Sequence, residues 1–239
     1  MPYNDPAMEM LNKETQEATR ARFEAGLSGP VKIVLFTREP KRLVLLGSLK
    51  GQDCFFCKET RRLLEEVSAL SDKIELQVLD IKADAEKAAQ FGIDKAPGIV
   101  LMGAGDPGIR FYGIPSGYEY STVVEDIVDI SRGTTQLSEK TKEALKAVDK
   151  ELRIQVFITP TCVHCSSVVR LAHQFALESP FIRAEMIEST EFQELSNRYN
   201  VYGVPKTIIN DTISFEGAVQ EEEFLANVLK AINHPESTI

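Results

Sequence analysis

The sequence predicts an α/β protein made of two tandem units, each with a central mixed sheet flanked by helices. The first observation is a repeated motif: Cys-x-x-Cys occurs twice, and a proline follows each copy 43 residues after its first cysteine. The residues are Cys54, Cys57 and Pro97 in the first copy, and Cys162, Cys165 and Pro205 in the second. The second observation is that apolar runs and helical periodicities alternate in the same order around both copies. The third is length, because 239 residues can form two small domains, which we place at 1–134 and 135–239.

Each predicted unit contains four strands and a helix that starts at the cysteines. In the first half, the elements are a helix at about Glu9–Phe23, strands at Val31–Phe36, Ile74–Ile81 and Gly98–Met102, and a cysteine helix with Leu63, Leu64, Val67 and Leu70 on one face. In the second half, they are a helix at Ser138–Asp149, strands at Ile154–Ile158, Phe181–Ile187 and Thr207–Ile209, and a cysteine helix marked by Val168, Ala172, Phe175 and Ala176. A short strand and a helix end each unit, and Ser138 is expected to cap its helix.

The region after each proline extends the repeat. Shifting the first half by 104 residues aligns apolar positions spaced by four: Tyr120 with Phe224, Val124 with Val228, and Val128 with Ile232. This spacing places them on one face of a helix.

One segment breaks the symmetry between Arg38 and Asp53, where the first half has about a dozen additional residues. Arg42–Leu46 can be an extra strand. Alternatively, Arg42–Leu46 is the strand equivalent to Ile154–Ile158, and Val31–Phe36 is the addition. The sequence leaves both interpretations open.

Composition excludes some classes of function. The net charge of −9 argues against nucleic acid as a partner, because binding a phosphate backbone requires clustered cations. No apolar run reaches the ~18 residues needed to span a membrane, and the first residues do not resemble a secretory signal. We therefore expect no membrane partner and a cytoplasmic location. In a reducing cytosol, a closely spaced cysteine pair is more often catalytic or metal-binding than structural.

The cysteine spacing itself indicates redox chemistry. Two intervening residues on a first helical turn bring the sulfurs within disulfide reach. The positive end of the helix dipole favours the thiolate of the leading cysteine. We expect Cys54 and Cys162 to attack, and Cys57 and Cys165 to resolve the mixed disulfide.

The order of strand, Cys-x-x-Cys helix and later proline resembles thioredoxin and glutaredoxin, and the tandem resembles the protein disulfide oxidoreductases of thermophilic microbes. This resemblance implies two thioredoxin-like units without a cofactor, acting on protein disulfides or thiols. It also implies a thioredoxin-reductase-like flavoprotein as electron donor. It further implies cis bonds at Ala96-Pro97 and Val204-Pro205, where backbone groups would receive an extended substrate segment.

The sequence departs from the thioredoxin pattern in two ways. The chain has no tryptophan, and Asp53 and Thr161 precede the motifs where thioredoxins usually have one. The buried carboxylate expected six residues before the attacking cysteine is replaced by Ser48 and Val156. Any proton acceptor must therefore lie elsewhere in the fold.

The two pairs are expected to differ in reduction potential. His164 can place positive charge near Cys162, whereas Asp53 places negative charge beside Cys54. Because a stabilised thiolate makes the disulfide a better oxidant, we predict that Cys162–Cys165 is the more oxidising pair and the main substrate site.

Two alternatives compete with this hypothesis. Four thiolates can form a structural zinc site, although 104 residues separate the two pairs and zinc ribbons usually have ~15–20. We therefore assign no metal ligands. Alternatively, only one pair works, and the other unit is a docking or electron-relay module of the kind attached to peroxide-reducing systems.

Phe55 and Phe56 lie between the cysteines of the first motif. We expect at least one of these two rings to be buried against the core.

Overall fold

The structure is a computed structural model that describes residues 9–38 and 54–233. Helices and strands alternate along these residues. In chain order they are α1 (Lys13–Gly26), β1 (Val31–Thr37), α2 (Cys57–Ser68), β2 (Ile74–Asp80), α3 (Ala85–Phe91), β3 (Gly98–Met102), β4 (Ile109–Tyr112), α4 (Glu119–Arg132), α5 (Glu139–Leu145), β5 (Leu152–Ile158), α6 (Cys165–Glu178), β6 (Ile182–Glu188), α7 (Gln193–Arg198), β7 (Lys206–Ile209), β8 (Ile213–Glu216) and α8 (Glu221–Asn233).

The eight strands form one continuous sheet in the order β2-β1-β3-β4-β6-β5-β7-β8. The first four strands and the last four have the same internal order, which identifies two tandem units, β1–β4 and β5–β8. The units join where β4 pairs in parallel with β6. Strands β1, β2, β4, β5 and β6 all point in one direction, because β3 is antiparallel to both β1 and β4. The repeat is therefore head to tail.

Apolar side chains cover both faces of the sheet. One face packs against α1, α2, α4, α5, α6 and α8 in a large core, to which α2 contributes Leu63, Leu64 and Val67 and α6 contributes Val168, Ala172 and Phe175. The other face carries a smaller core with residues of α3 and α7. Both cysteine helices consequently lie on the same face. Their apolar residues recur every three to four positions, as that packing requires.

The strand left open by the sequence is resolved by the pairing. Strand β1 pairs in parallel with β2 and antiparallel with β3, and β5 has the same two relationships with β6 and β7. Val31–Phe36 is therefore the equivalent of Ile154–Ile158. The segment Arg42–Leu46 lies outside the described residues.

The helices that precede the two units have bounds that differ from those predicted. Helix α1 begins at Lys13, later than Glu9, because the side chain of Asn12 caps it by accepting from the Thr15 N–H at 2.8 Å. Ser138 caps α5 as predicted, but that helix ends at Leu145, well before Asp149. None of the helices in the described residues is both long and apolar enough to cross a membrane.

Candidate active site

Both cysteine pairs lie at the same end of the sheet, the cysteine edge, which is formed by the carboxyl ends of the parallel strands. Each follows the carboxyl end of a strand, β1 or β5, and these strands are parallel. The sulfurs of each pair are at disulfide distance, and the Cα atoms are 5.5 Å apart in Cys54–Cys57 and 5.4 Å apart in Cys162–Cys165. Four strand spacings separate β1 from β5, so the two pairs are about 19 Å apart across the sheet.

The two cysteines of a pair differ in exposure. Cys57 and Cys165 are buried at the first residues of α2 and α6, whereas Cys54 and Cys162 are partly exposed in the turns before them. The helices therefore begin at the second cysteine of each motif. A leading sulfur open to solvent and a buried trailing sulfur suit attack by the first and resolution by the second.

The predicted prolines lie beside the cysteine pairs. The Ala96-Pro97 and Val204-Pro205 peptide bonds are both cis, as the resemblance implied. Each proline directly precedes the strand that pairs with the end of β1 or β5. The main-chain carbonyl of Pro97 accepts from Gly113 N at 3.0 Å, and that of Pro205 accepts from Gly217 N at 2.8 Å. The two sites thus have the same backbone arrangement.

Apolar side chains around the motifs are unusually exposed. Phe55 is 79% exposed and Phe56 is also exposed, so the expectation that one of these rings is buried is wrong. Val163 is exposed at the second motif, and Tyr202, three residues before Pro205, is 91% exposed. The turn geometry explains the two Phe rings, because both precede α2 and have no helix face to pack against. Exposed apolar side chains therefore lie between the cysteines of both motifs, Phe55 and Phe56 in the first and Val163 in the second.

The two residues predicted to tune the potentials differ in what the structure shows. His164 is exposed, lies between Cys162 and Cys165, and occupies the N-cap position of α6. Its main-chain carbonyl accepts from the Ser167 hydroxyl at 2.8 Å. Asp53 lies outside the described residues.

A buried carboxyl beside the second pair was missed by sequence reasoning. Glu119, the first residue of α4, is 1% exposed, and burial raises its pKa to about 7, with a further increase from Asp126. The Thr122 hydroxyl donates to Oε2 at 2.8 Å, while Oε1 has no hydrogen-bond partner in the described part of the chain. Just before it, Tyr118 N donates to the carbonyl of Pro160 at 3.4 Å, in the turn leading to the second pair.

Helix direction places Glu119 at the level of the cysteines. Helices α4 and α6 both start at the cysteine edge, because each follows a strand of the parallel set. Asp126 on α4 contacts His173 on α6. Counting seven residues from this contact toward the N-terminus, about 10.5 Å along each helix, leads to Glu119 on α4 and to Ser166 on α6. Glu119 is therefore level with Ser166, which directly follows Cys165. The only sequence signal was a glutamate in the first turn of an amphipathic helix, which a favourable helix dipole also explains.

A second buried carboxyl lies near the first pair. Glu191 Oε1 accepts from the main-chain N–H of Ile114 at 2.6 Å, and the preceding residue, Gly113, donates to Pro97. Burial raises the pKa of Glu191 to about 7, and neighbouring carboxylates, including that of Glu59 on α2, raise it further. Each cysteine pair thus has a protonatable acid from the opposite unit nearby.

The geometry does not favour the zinc alternative. The sulfurs pair within each motif, and the two pairs are four strands apart, so the four thiols do not converge on one ion. Among residues 9–38 and 54–233, no three or more His, Cys, Asp or Glu side chains are grouped to hold a metal.

A thioredoxin-like strand order, two disulfide-forming Cys-x-x-Cys pairs and adjacent cis prolines define a thioredoxin-fold thiol–disulfide oxidoreductase with two tandem units. Comparison with known proteins agrees with this class. Residues 152–230 match the family model described as thioredoxin domain.

Solved structures resemble the chain over nearly its whole length. A protein disulfide oxidoreductase from Aeropyrum pernix is 28% identical with a TM-score of 0.83, covering 95% of this chain and 96% of that one. The alkyl hydroperoxide reductase component AhpF from Enterococcus faecalis is 25% identical with a TM-score of 0.80, covering 90% of this chain and 98% of that one.

Sequence relatives are longer proteins. The AhpF component of alkyl hydroperoxide reductase from Pseudomonas aeruginosa is 27% identical over 171 residues, which are 72% of this chain and 31% of that protein. An NADH dehydrogenase from Bacillus subtilis is 24% identical over 171 residues, which are again 72% of this chain and 31% of that protein. The chain therefore spans about a third of the length of the curated relatives it matches.

Proposed function

We propose that the chain reduces, forms or isomerises protein disulfides through both cysteine pairs, with the unit boundary between residues 134 and 135. One observation carries this proposal: in each pair, a partly exposed leading sulfur lies at disulfide distance from a buried trailing sulfur. In that arrangement, the leading sulfur can form a mixed disulfide with the substrate, and the trailing sulfur can then attack the leading one and release the substrate.

In the reductive direction, the Cys162 thiolate attacks a substrate disulfide and releases the first substrate thiolate. The Cys165 thiolate then attacks Cys162 in the mixed disulfide and releases the second. The protein ends as a disulfide, and the substrate ends as a dithiol after taking up two protons. Cys54 and Cys57 perform the same steps at the first pair.

Substrate segments are proposed to bind beside the prolines. Ala96-Pro97 and Val204-Pro205 lie next to the strand ends that carry the cysteines, so their backbone groups can receive an extended chain. Phe55 is exposed at the first site, so a substrate with an apolar side chain next to its disulfide can pack against this ring.

Glu119 is proposed as the proton acceptor for the second pair, a role for which the sequence alone offers no candidate. A carboxyl with a pKa of about 7 can both take a proton from a thiol and return it near neutral pH. Glu191 is in a comparable position to serve the first pair.

Electrons are proposed to come from a flavoprotein of the thioredoxin-reductase type, in the cytoplasm. Two of the longer relatives have names that denote reductase or dehydrogenase proteins, and this chain corresponds to about a third of each. The match to the AhpF proteins favours a second candidate, an electron relay to a peroxide-reducing partner. Both candidates use the same dithiol chemistry and differ in the acceptor.

The test compares reduction of insulin disulfides with dithiothreitol as donor, using Cys54→Ser and Cys162→Ser variants. We expect Cys162→Ser to remove most of the activity, and Cys54→Ser to retain more. If Cys162→Ser stays near wild type while Cys54→Ser is inactive, the assignment of the second pair as main substrate site is wrong. A double variant lacking Cys54 and Cys57 that matches wild type in every turnover assay would support the single-site relay instead.

A further inference from the structure

A groove with a volume of about 630 Å³ lies on the sheet face opposite the cysteine helices, beside α3. Its charged lining consists of Arg38, Lys82, Arg153, Arg183, Asp94 and Glu185. These residues come from both units, since β5 and β6 form one side of the groove and α3 the other. The proposed disulfide chemistry uses none of these side chains.

The groove is cationic although the protein is not. Four basic side chains line it against two carboxylates, whereas the whole chain has a net charge of −9. One of the carboxylates is already compensated: buried Glu185 accepts from Arg153 Nε at 3.0 Å and from Nη2 at 2.8 Å. The other, Asp94, forms an ion pair with Lys95. Arg38 has a partner of its own and Arg153 is engaged by Glu185, so the positive charge left for a ligand comes from Lys82 and Arg183.

The arginines at the groove are held in place. The guanidinium of Arg153 is fixed by its two hydrogen bonds to Glu185 Oε2. The same oxygen also accepts from Gln155 Nε2 at 3.2 Å. Arg183 packs over Gly92, which ends α3 with φ of +64°, and a Cβ at Gly92 would collide with the guanidinium of Arg183. Glycine at this position therefore leaves the space that the Arg183 side chain occupies.

The wall on the α3 side is small and apolar. Ala85, Ala88 and Ala89 face the groove, so the helix contributes no long side chain that would fill it. The volume lies in the range of ~300–1,000 Å³ that small-molecule sites occupy. Arginine side chains recognise phosphate and carboxylate groups through paired N–H donors.

We propose that this groove binds a small organic polyanion, whose phosphate or carboxylate groups contact Arg183, Arg153 and Lys82 and whose apolar part packs on the alanines of α3. The positively charged lining within an acidic protein and the groove volume carry the inference. The three proposed ligand contacts take no part in the disulfide chemistry. The groove does reach toward the first pair, because Arg38, which lines it, donates from its main-chain N–H to Cys57 Sγ at 3.3 Å.

Isothermal titration of the full chain, with both pairs oxidised and at low ionic strength, tests the proposal with two probes, pyrophosphate and citrate. We expect one binding site, weakened about tenfold or more in Arg183→Gln and several-fold in Lys82→Gln. Lys87→Gln is the matched control, since Lys87 is exposed on α3 but does not line the groove. Its affinity should equal that of wild type.

Binding of pyrophosphate alone identifies a phosphate ligand, and binding of citrate alone identifies a carboxylate ligand. Binding of both supports a polyanion site that does not discriminate between them. The absence of binding by both probes overturns the proposal, as does equal weakening by Lys82→Gln and Lys87→Gln. Circular dichroism melting of each variant establishes folding, and Lys82→Gln provides the answer if Arg183→Gln does not fold.

Discussion

Oδ2 of Asp126 and Nδ1 of His173 lie 2.5 Å apart in the buried contact between α4 and α6. Helix α4 follows the last strand of the first unit, and α6 carries the second cysteine pair, so this contact joins the two units. Arg170 on α6 extends it by binding both Asp126 and Asp129. The contact fixes α4, and with it Glu119, relative to the second site.

Asp126→Ala should lower the free energy of unfolding by about 3–5 kcal/mol, because it leaves His173 and Arg170 buried with fewer partners. Urea unfolding followed by circular dichroism measures the change. Asp149→Ala is the control, since Asp149 is an exposed acid outside this contact, and it should change stability by less than about 0.5 kcal/mol. Equal stabilities for the two variants would contradict a structural role for the contact.

Glu119→Gln should change how stability depends on pH. The folded pKa of Glu119, about 7, is above the ordinary value of 4.5, so the folded protein binds this proton more tightly than the unfolded chain does. Its contribution to stability is therefore complete below about pH 4.5 and is lost as pH rises through 7. The wild type should lose about 3 kcal/mol relative to Glu119→Gln across this range.

Urea unfolding of both proteins at pH 4.5, 6 and 8 makes this measurement. A constant difference between them at all three values would show that Glu119 has an ordinary pKa. The same variant should shift the pH dependence of alkylation of reduced Cys162, because Glu119 is proposed to exchange a proton with the second pair, while leaving that of the first pair unchanged.

Gly117→Ala should disturb the second site more than a matched substitution elsewhere. Gly117 has φ of +62°, and a Cβ there would collide with the carbonyl oxygen of Pro160, just before Cys162. Gly133 has nearly the same φ, +65°, but a Cβ at that position would meet no atom within 4 Å beyond its chain neighbours. Gly133→Ala should therefore cost only the left-handed backbone strain of about 1–2 kcal/mol.

Gly117→Ala should cost about 1–3 kcal/mol more than Gly133→Ala and should alter the alkylation rate of reduced Cys162. Thermal unfolding and iodoacetamide kinetics on the two variants separate these effects. Identical costs and identical Cys162 rates would mean that the turn at Pro160 moves freely.

His164→Val should lower the reduction potential of the second pair. Without the imidazole, the reduced thiolate of Cys162 loses a positive neighbour, and the disulfide becomes a weaker oxidant by on the order of 10–30 mV. Equilibration with dithiothreitol redox buffers, followed by mass counting of alkylated thiols, measures both pairs in one sample. The first pair is the internal control, and its potential should be the same in both proteins.

Much of the fold could be predicted from the sequence because the repeat shows each element twice. The predicted bounds of Gly98–Met102 are the observed ones, and most other strands agree within two residues. Two copies of the motif and proline also indicate where the cysteine sites lie. Local patterns of this kind carry information about strands, helices and turns.

The joining of the two units into one sheet could not be predicted. The pairing of β4 with β6 depends on strand edges meeting between units, and nothing in the local sequence of either strand identifies the other as its neighbour. Glu119 and Glu191 were missed for the same reason. Each is near a cysteine pair only because elements distant in sequence pack together, and a glutamate in a helix or turn has no distinguishing local signal.

The head-to-tail sheet has a consequence for multi-cysteine substrates. Both redox pairs open at the same end of the sheet and on the same face. Under the proposed function, a substrate chain held at the first pair by a mixed disulfide therefore has the second pair only about 19 Å away. Such tethered proximity corresponds to effective concentrations in the millimolar range. A partly rearranged substrate can therefore be sampled again by the neighbouring pair before it diffuses away, so the tandem would favour several exchanges per encounter over one.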